Sequence, residues 1–189
     1  MTELEQYLHS YFPLKQNDLE KIESLFKETS IKKGDYFLKA GRQSDQLSFI
    51  RSGLLRIYAT TEEKEVTQWI STKGYFVTDL SSFIFETPAR WTIQALTDVQ
   101  LYTINKKEYS SIEKILPQWH KIEKLFIARC FTILEDRVFS HLSMSAEERY
   151  EFFFEHNKEL FTQVPLQYIA SMLGMTPETF SRIRKKSLP

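Results

Sequence analysis

A single cysteine, Cys130, is all the thiol chemistry the chain has. It can close no internal disulfide and cannot supply the several thiolates of a zinc or iron–sulfur site, so a buried structural thiol is its expected role. Glycine is scarce too, and none of it lies in a Walker or dinucleotide-binding pattern. Gly34, Gly41, Gly53 and Gly74 instead separate short apolar runs, as tight turns do. No apolar run approaches the roughly 20 residues that span a bilayer, and Met1-Thr-Glu-Leu-Glu lacks the basic and apolar regions of a secretion signal. A cytoplasmic protein with no membrane partner is therefore expected. Nor is there an excess of charge: 25 Lys and Arg balance 25 Asp and Glu, against a protein that coats nucleic acid over its whole surface. His9, His120, His141 and His156 are scattered and read as surface or packing residues. With no His/Glu metal cluster, nucleophile elbow or paired carboxylates in an apolar setting, no enzyme and no metal are expected.

What is present is a core. Hydrophobic residues make up 42% of the chain, enough for two small domains. From Thr2 to Glu28, apolar residues at helical spacing (Leu4, Tyr7, Leu8, Tyr11, then Leu19, Ile22, Leu25, Phe26) predict two short helices broken near Pro13. From Ile31 to Ile104 the pattern turns to short runs such as Leu47-Ser-Phe-Ile and Val99-Gln-Leu-Tyr-Thr-Ile, which predict seven or eight strands of an antiparallel sandwich or roll. Helical spacing returns after Ser110. Between Ile115 and Leu142 one stripe carries Ile115, Trp119, Ile122, Phe126, Cys130 and Ile133, and a second carries Leu125, Ala128, Phe131, Leu134 and Val138. A helix apolar on two faces needs two partners: its own β-domain and the same helix of a second subunit, or else complete burial within one chain.

The C-terminal segment carries the functional signal. Leu166, Ile169, Ala170 and Leu173 form one helical face, Gly174 supplies a left-handed stop, Thr176 is a good N-cap and Pro177 suits the first helical position. Phe180 and Ile183 face back onto the preceding helix, and Glu178, Ser181, Arg182 and Lys185 face outward. Such a face suits the DNA major groove: Arg182 for guanine O6 and N7, Glu178 for the cytosine amino group, Ser181, Thr179 and Lys185 for phosphates. Residues 165–189 hold four basic side chains and one acidic one, a net +3 in a neutral protein. The alternative is a helical hairpin whose cations merely sit at a favourable helix C-terminus.

The order of parts, and above all Ile169-Ala-Ser-Met-Leu-Gly-Met-Thr-Pro-Glu-Thr-Phe-Ser-Arg-Ile, resembles the Crp/Fnr-type regulators over nearly the whole chain. That resemblance implies an α+β chain: an antiparallel, jelly-roll-like β-roll sensor domain over 1–114, a dimerisation helix over 115–142 and a helix-turn-helix domain over 143–189. It implies double-stranded DNA, a second copy of the chain, RNA polymerase and a small effector as partners. Thr176, Glu178, Thr179, Ser181, Arg182 and Lys185 would read DNA, and Trp119, Ile122, Phe126 and Ile133 would line the dimer helix. Two departures stand out in this region. Pro177 replaces a frequent arginine, and little sequence follows Lys186 for the usual β-wing.

The effector pocket implied by the resemblance comprises Phe76, Thr78, Asp79, Leu80, Arg90 and Trp91. Members that bind cyclic AMP carry a cassette close to Phe-Gly-Glu-Leu and then Arg-Ser; here the segments read Phe76-Val-Thr-Asp-Leu and Ala89-Arg-Trp. Thr78 crowds a glycine's place, Asp79 is shorter than glutamate and Trp91 replaces a small hydroxyl residue. Cyclic nucleotide is thus disfavoured and no cofactor is assigned. Two functions follow: a homodimeric transcription regulator reading an inverted repeat, or a ligand-sensing β-roll module that signals through protein contacts without DNA.

Overall fold

The computed structural model describes residues 1–187, so the last two residues of the expected 143–189 domain lie outside the described residues. The chain folds as two compact units, Met1–Ile57 with Ile70–Cys130, and Tyr58–Trp69 with Phe131–Pro189.

The first unit opens on α1 (Glu3–Tyr11), started by a Thr2/Glu5 capping box, and α2 (Gln16–Glu23). Eight strands follow: β1 (Lys27–Ile31), β2 (Tyr36–Leu38), β3 (Gln46–Ser52), β4 (Leu55–Thr60), β5 (Glu65–Ser71), β6 (Phe76–Val77), β7 (Thr92–Ala95) and β8 (Val99–Asn105). They form two four-stranded sheets, ordered β1-β8-β3-β6 and β2-β7-β4-β5, and the pairings of β8 with β1 and β3 are antiparallel. The antiparallel roll expected from the run spacing is present. β1 lies outside the expected strands, because Lys-Glu-Thr-Ser-Ile is an edge strand with almost no buried side chain and hence no apolar signal.

Strand alternation gives β3 and β8 two cores. Leu47, Phe49 and Ile104 face a helical layer containing Leu8, Phe12, Ile22 and Phe126. Ile50, Val99 and Leu101 face the second sheet, against Leu55, Ile93 and Ala95. The helical layer also includes α4 (Lys106–Ile115) and the start of the long helix α5 (Trp119–Ser143). Pro117 separates these two helices, so the long helix begins at Trp119 and not at Ile115.

Gly53 sets the turn between β3 and β4 at φ 92°, and a Cβ there would run into the Asp98 carbonyl oxygen and lie 2.9 Å from Thr97 Oγ1. Gly34 has nearly the same φ, 90°, with nothing within 4 Å. Gly34→Ala is expected to cost about 1 kcal/mol from backbone strain alone, and Gly53→Ala at least about 2 kcal/mol more because main chain must move. Equal urea midpoints for the two variants would contradict this.

In the second unit, α6 (Ala146–His156) starts at a Ser145/Glu148 capping box, and α7 (Leu160–Gln163), α8 (Leu166–Met172) and α9 (Pro177–Ser187) follow. Tyr150, Leu160, Ile169, Ala170, Phe180 and Ile183 form its buried interior. The hairpin end of β4 and β5 also belongs here: the Thr67 N–H donates to Ser171 Oγ at 2.9 Å. Among the described residues no helix is long and apolar enough to cross a membrane.

Candidate functional site

The turn between α8 and α9 is built by main-chain chemistry. Gly174 adopts φ 71°, the Met175 N–H donates to the Ala170 carbonyl at 2.9 Å, and the Gly174 N–H donates to Ser171 O at 3.1 Å. These two bonds make a Schellman stop, which a left-handed glycine enters with little strain. Thr176 Oγ1 then accepts from the Thr179 N–H at 3.2 Å, capping α9. On α9, Phe180 is held edge-on by Tyr150 at 5.3 Å and stacked on Phe161 at 6.0 Å, and Ile183 is buried beside it. Apolar spacing alone points Phe180 at α8; the aromatic grip from α6 and α7 is an addition that the sequence pattern does not single out.

That grip fixes which side of α9 is free. Glu178, Ser181, Arg182 and Lys185 are all exposed or half-exposed, and positions 178, 182 and 185 fall on one helical face. Thr176 is exposed and lies with its hydroxyl 3.2 Å from that of Thr179. A hydrogen bond from its own main-chain N–H, then one from Thr176, holds the Glu178 carboxyl below the usual range, so it is ionised at neutral pH.

The six residues expected to form an effector pocket are turned to different partners. Phe76 turns toward the helical layer, 4.8 Å from Phe126 and 5.7 Å from Tyr11. Thr78 Oγ1 donates to Gln46 O at 2.9 Å. Asp79, only 2% exposed, accepts from the Ser82, Arg90 and Trp91 N–H groups at 3.0, 2.9 and 3.2 Å. Its carboxylate therefore caps α3 (Leu80–Phe85) and ties the β7 entry strand to it, and is not presented to a ligand. This helix falls between two of the expected strands, and its signal in the sequence is Asp79 as its N-cap. Ala89 takes the inward position, and Arg90 lies outside with its guanidinium 4.9 Å from the Trp91 ring centroid. Leu80 lines a separate groove with Ile84, Phe85, His120, Lys124 and Ile127.

Asp79→Ala would strand three main-chain N–H groups. It is expected to lower stability by about 2–4 kcal/mol in urea unfolding, at roughly 1–3 kcal/mol for each buried group left unpaired and some relaxation. A variant as stable as the parent would leave the Asp79 carboxylate free to face a ligand.

On α5 the stripes are divided otherwise than expected. Trp119, Ile122 and Phe126 are buried in the core of their own chain, with Phe12 5.1 Å from Trp119 and 5.0 Å from Phe126, so they cannot face a second copy. The aromatics of α1 claim that stripe first. Ile133, in the other unit, is exposed. It is the second stripe that stays open: Phe131, Leu134 and Val138 are 60%, 50% and 52% exposed. Cys130 is half-buried against the helical core, and burial pushes its thiol up, away from the reactive thiolate. Among the described residues no group of three or more His, Cys, Asp or Glu is placed to hold a metal ion.

Residues 28–114 match the cyclic nucleotide-binding domain family. They run from within β1 to within α4 and include Asp79 and Arg90. The antiparallel roll, the long helix and the helices after it are similar in fold to solved structures over most of the chain. The chain is similar to FixK2 from Bradyrhizobium japonicum, with a TM-score of 0.72 at 17% identity over 85% of this chain and 83% of that one. It is similar to the catabolite activator protein of Thermus thermophilus, with a TM-score of 0.58 at 20% identity over 95% of this chain and 85% of that one. It is also similar to the regulatory domain of Toxoplasma gondii PKA co-crystallised with cAMP, with a TM-score of 0.54 at 18% identity over 58% of this chain. The chain spans 43% of that protein and less than half of the other kinase regulatory chain it matches. No curated protein matches the chain in sequence.

Proposed function

We propose that the chain is a homodimeric, sequence-specific DNA-binding transcription regulator of Crp/Fnr type, with α8, the Gly174 turn and α9 as its helix-turn-helix. The observation that carries this reading is the split of α9: Phe180 and Ile183 locked inward, Glu178, Ser181, Arg182 and Lys185 free on the outer face. In the groove Arg182 pairs with guanine, Glu178 accepts from cytosine, and Ser181, Thr179 and Lys185 hold phosphates, with Thr176 at the helix mouth. The likeness to FixK2 and to a catabolite activator protein supports the same assignment. RNA polymerase is the protein partner such a regulator would touch when bound upstream of a gene.

The open stripe of α5 supports the dimer. Phe131, Leu134 and Val138 follow the three-and-four spacing of a coiled-coil seam, which two copies bury together. Two recognition helices related by a two-fold axis meet successive major grooves about 34 Å apart, so the operator is an inverted repeat. The roll does not take cyclic nucleotide in the manner of its family, because Asp79 is engaged by three N–H groups and Arg90 faces outward.

Selection from random double-stranded DNA tests the reading. Enrichment of a palindromic site bound with steep salt dependence is expected. Failure to enrich any palindrome, with no salt-dependent binding, would refute it and leave a ligand-sensing module.

A further inference from the structure

Within the second unit, the end of α5, the start of α6, the end of α8 and Trp69 enclose a cavity of about 340 Å³. Its walls are apolar. Met172 and Leu173 are buried in its floor, and Phe139 and Phe152 stand exposed at its rim. Arg137 crosses one wall, its guanidinium 5.0 Å from the Trp69 ring centroid, and donates to the Met172 carbonyl at a long 3.3 Å. Among the described residues no carboxylate lies within ion-pair distance of it. Burial pulls its pKa down from the ordinary value, yet a guanidinium stays charged across the physiological range.

The other ionisable groups around the cavity are already placed. Arg149 donates to Leu173 O at 3.1 Å and to Met144 O at 2.7 Å. His141 Nδ1 lies 2.9 Å from Arg137 O, and Asp136 is exposed. The Ser140 and Ser143 hydroxyls donate to the Arg137 and Phe139 carbonyls. The lining thus offers an apolar volume, few free hydrogen-bonding groups and one poorly satisfied planar cation. That combination does not suit a sugar or a nucleotide, which needs many polar partners. It suits an apolar body ending in one planar anion, since a guanidinium fork and a carboxylate meet in two parallel bonds that strengthen away from water.

We propose that this cavity binds a small hydrophobic monocarboxylate, with its carboxylate on Arg137 and its apolar body against Trp69, Phe153 and Met172. The site goes beyond the DNA-reading assignment and is tested without DNA. Calorimetric titration of the full chain with decanoate and with 2-naphthoate, against decan-1-ol as the neutral counterpart, reads both parts of the claim. At least one carboxylate is expected to bind at least about tenfold tighter than the alcohol. Arg137→Met is expected to bring the carboxylate down to the alcohol's level and leave the alcohol unchanged, and Ser140→Phe, which fills the cavity, to remove both. Should Arg137→Met fail to fold by circular dichroism, Arg137→Lys keeps the charge and loses the fork, and is expected to weaken the carboxylate at least about threefold. No binding of either carboxylate, equal binding of acid and alcohol, or carboxylate binding indifferent to the Arg137 and Ser140 variants overturns the proposal.

Discussion

Leu134→Glu combined with Val138→Glu is expected to give a folded monomer that no longer holds its operator. Both side chains are about half exposed in the protomer, so neither supports the fold of its own chain, and circular dichroism and the urea midpoint should stay near the parent's. In a dimer the same side chains meet their copies across a two-fold axis, so two substitutions remove apolar side chains from both sides of the seam. At about 1.5–3 kcal/mol for each large apolar side chain fully buried, and a further cost for glutamates forced together, the association constant falls by more than about 100-fold. Sedimentation equilibrium reads this directly. A double variant that remains dimeric would place the interface elsewhere. Ile122→Glu is the informative contrast: Ile122 is buried in the helical core, so that variant should unfold the first unit and not merely separate two copies.

The difference between Ile122 and Leu134 is also what sequence could not resolve. Both stripes of α5 are apolar at helical spacing, and periodicity says that each must be covered without saying by what. The assignment is decided by α1, whose Tyr11, with Phe12 just after it, reaches Phe126 across more than a hundred residues of sequence. Long-range packing of that kind leaves no local trace. The end of the chain was legible for the opposite reason. A Schellman glycine, a threonine cap, a proline at the first helical turn and an i, i+4, i+7 polar face are all local, and each appears in the structure where its chemistry requires it.

The cassette falls between these cases. Its departure from Phe-Gly-Glu-Leu was visible in Thr78 and Asp79. What Asp79 does instead depends on the Ser82, Arg90 and Trp91 N–H groups, which converge on one carboxylate only once α3 has formed. Arg90 shows how one position matters in the bend before β7: Ala89 is buried and Arg90 is exposed, so a cation available in sequence is lost to the interior. The Arg137 cavity carried no motif at all, because Trp69 and Arg137 belong to different elements and meet only in the folded unit. The cavity floored by Met172 and Leu173 adjoins the turn into α9.

Arg182→Ala is expected to cut discrimination at the operator sharply while leaving the fold intact. Arg182 is exposed on α9, one helical turn from Glu178, and among the described residues neither forms an ion pair within the chain. A bidentate arginine–guanine contact contributes about 1–3 kcal/mol of discrimination, and a dimer makes it twice, so specific affinity falls by roughly 2–6 kcal/mol. Non-specific affinity changes little, because it rests on phosphates. Lys185→Ala should behave in the opposite way, weakening all sequences alike and lowering the slope of log affinity against log salt by about 1 per contact removed. Mobility shifts on the selected operator and on a scrambled duplex, each at several salt concentrations, separate the two. Equal losses on both duplexes for Arg182→Ala would make it a phosphate contact and move base reading to another residue of the same face. No loss on either would take α9 out of the groove altogether.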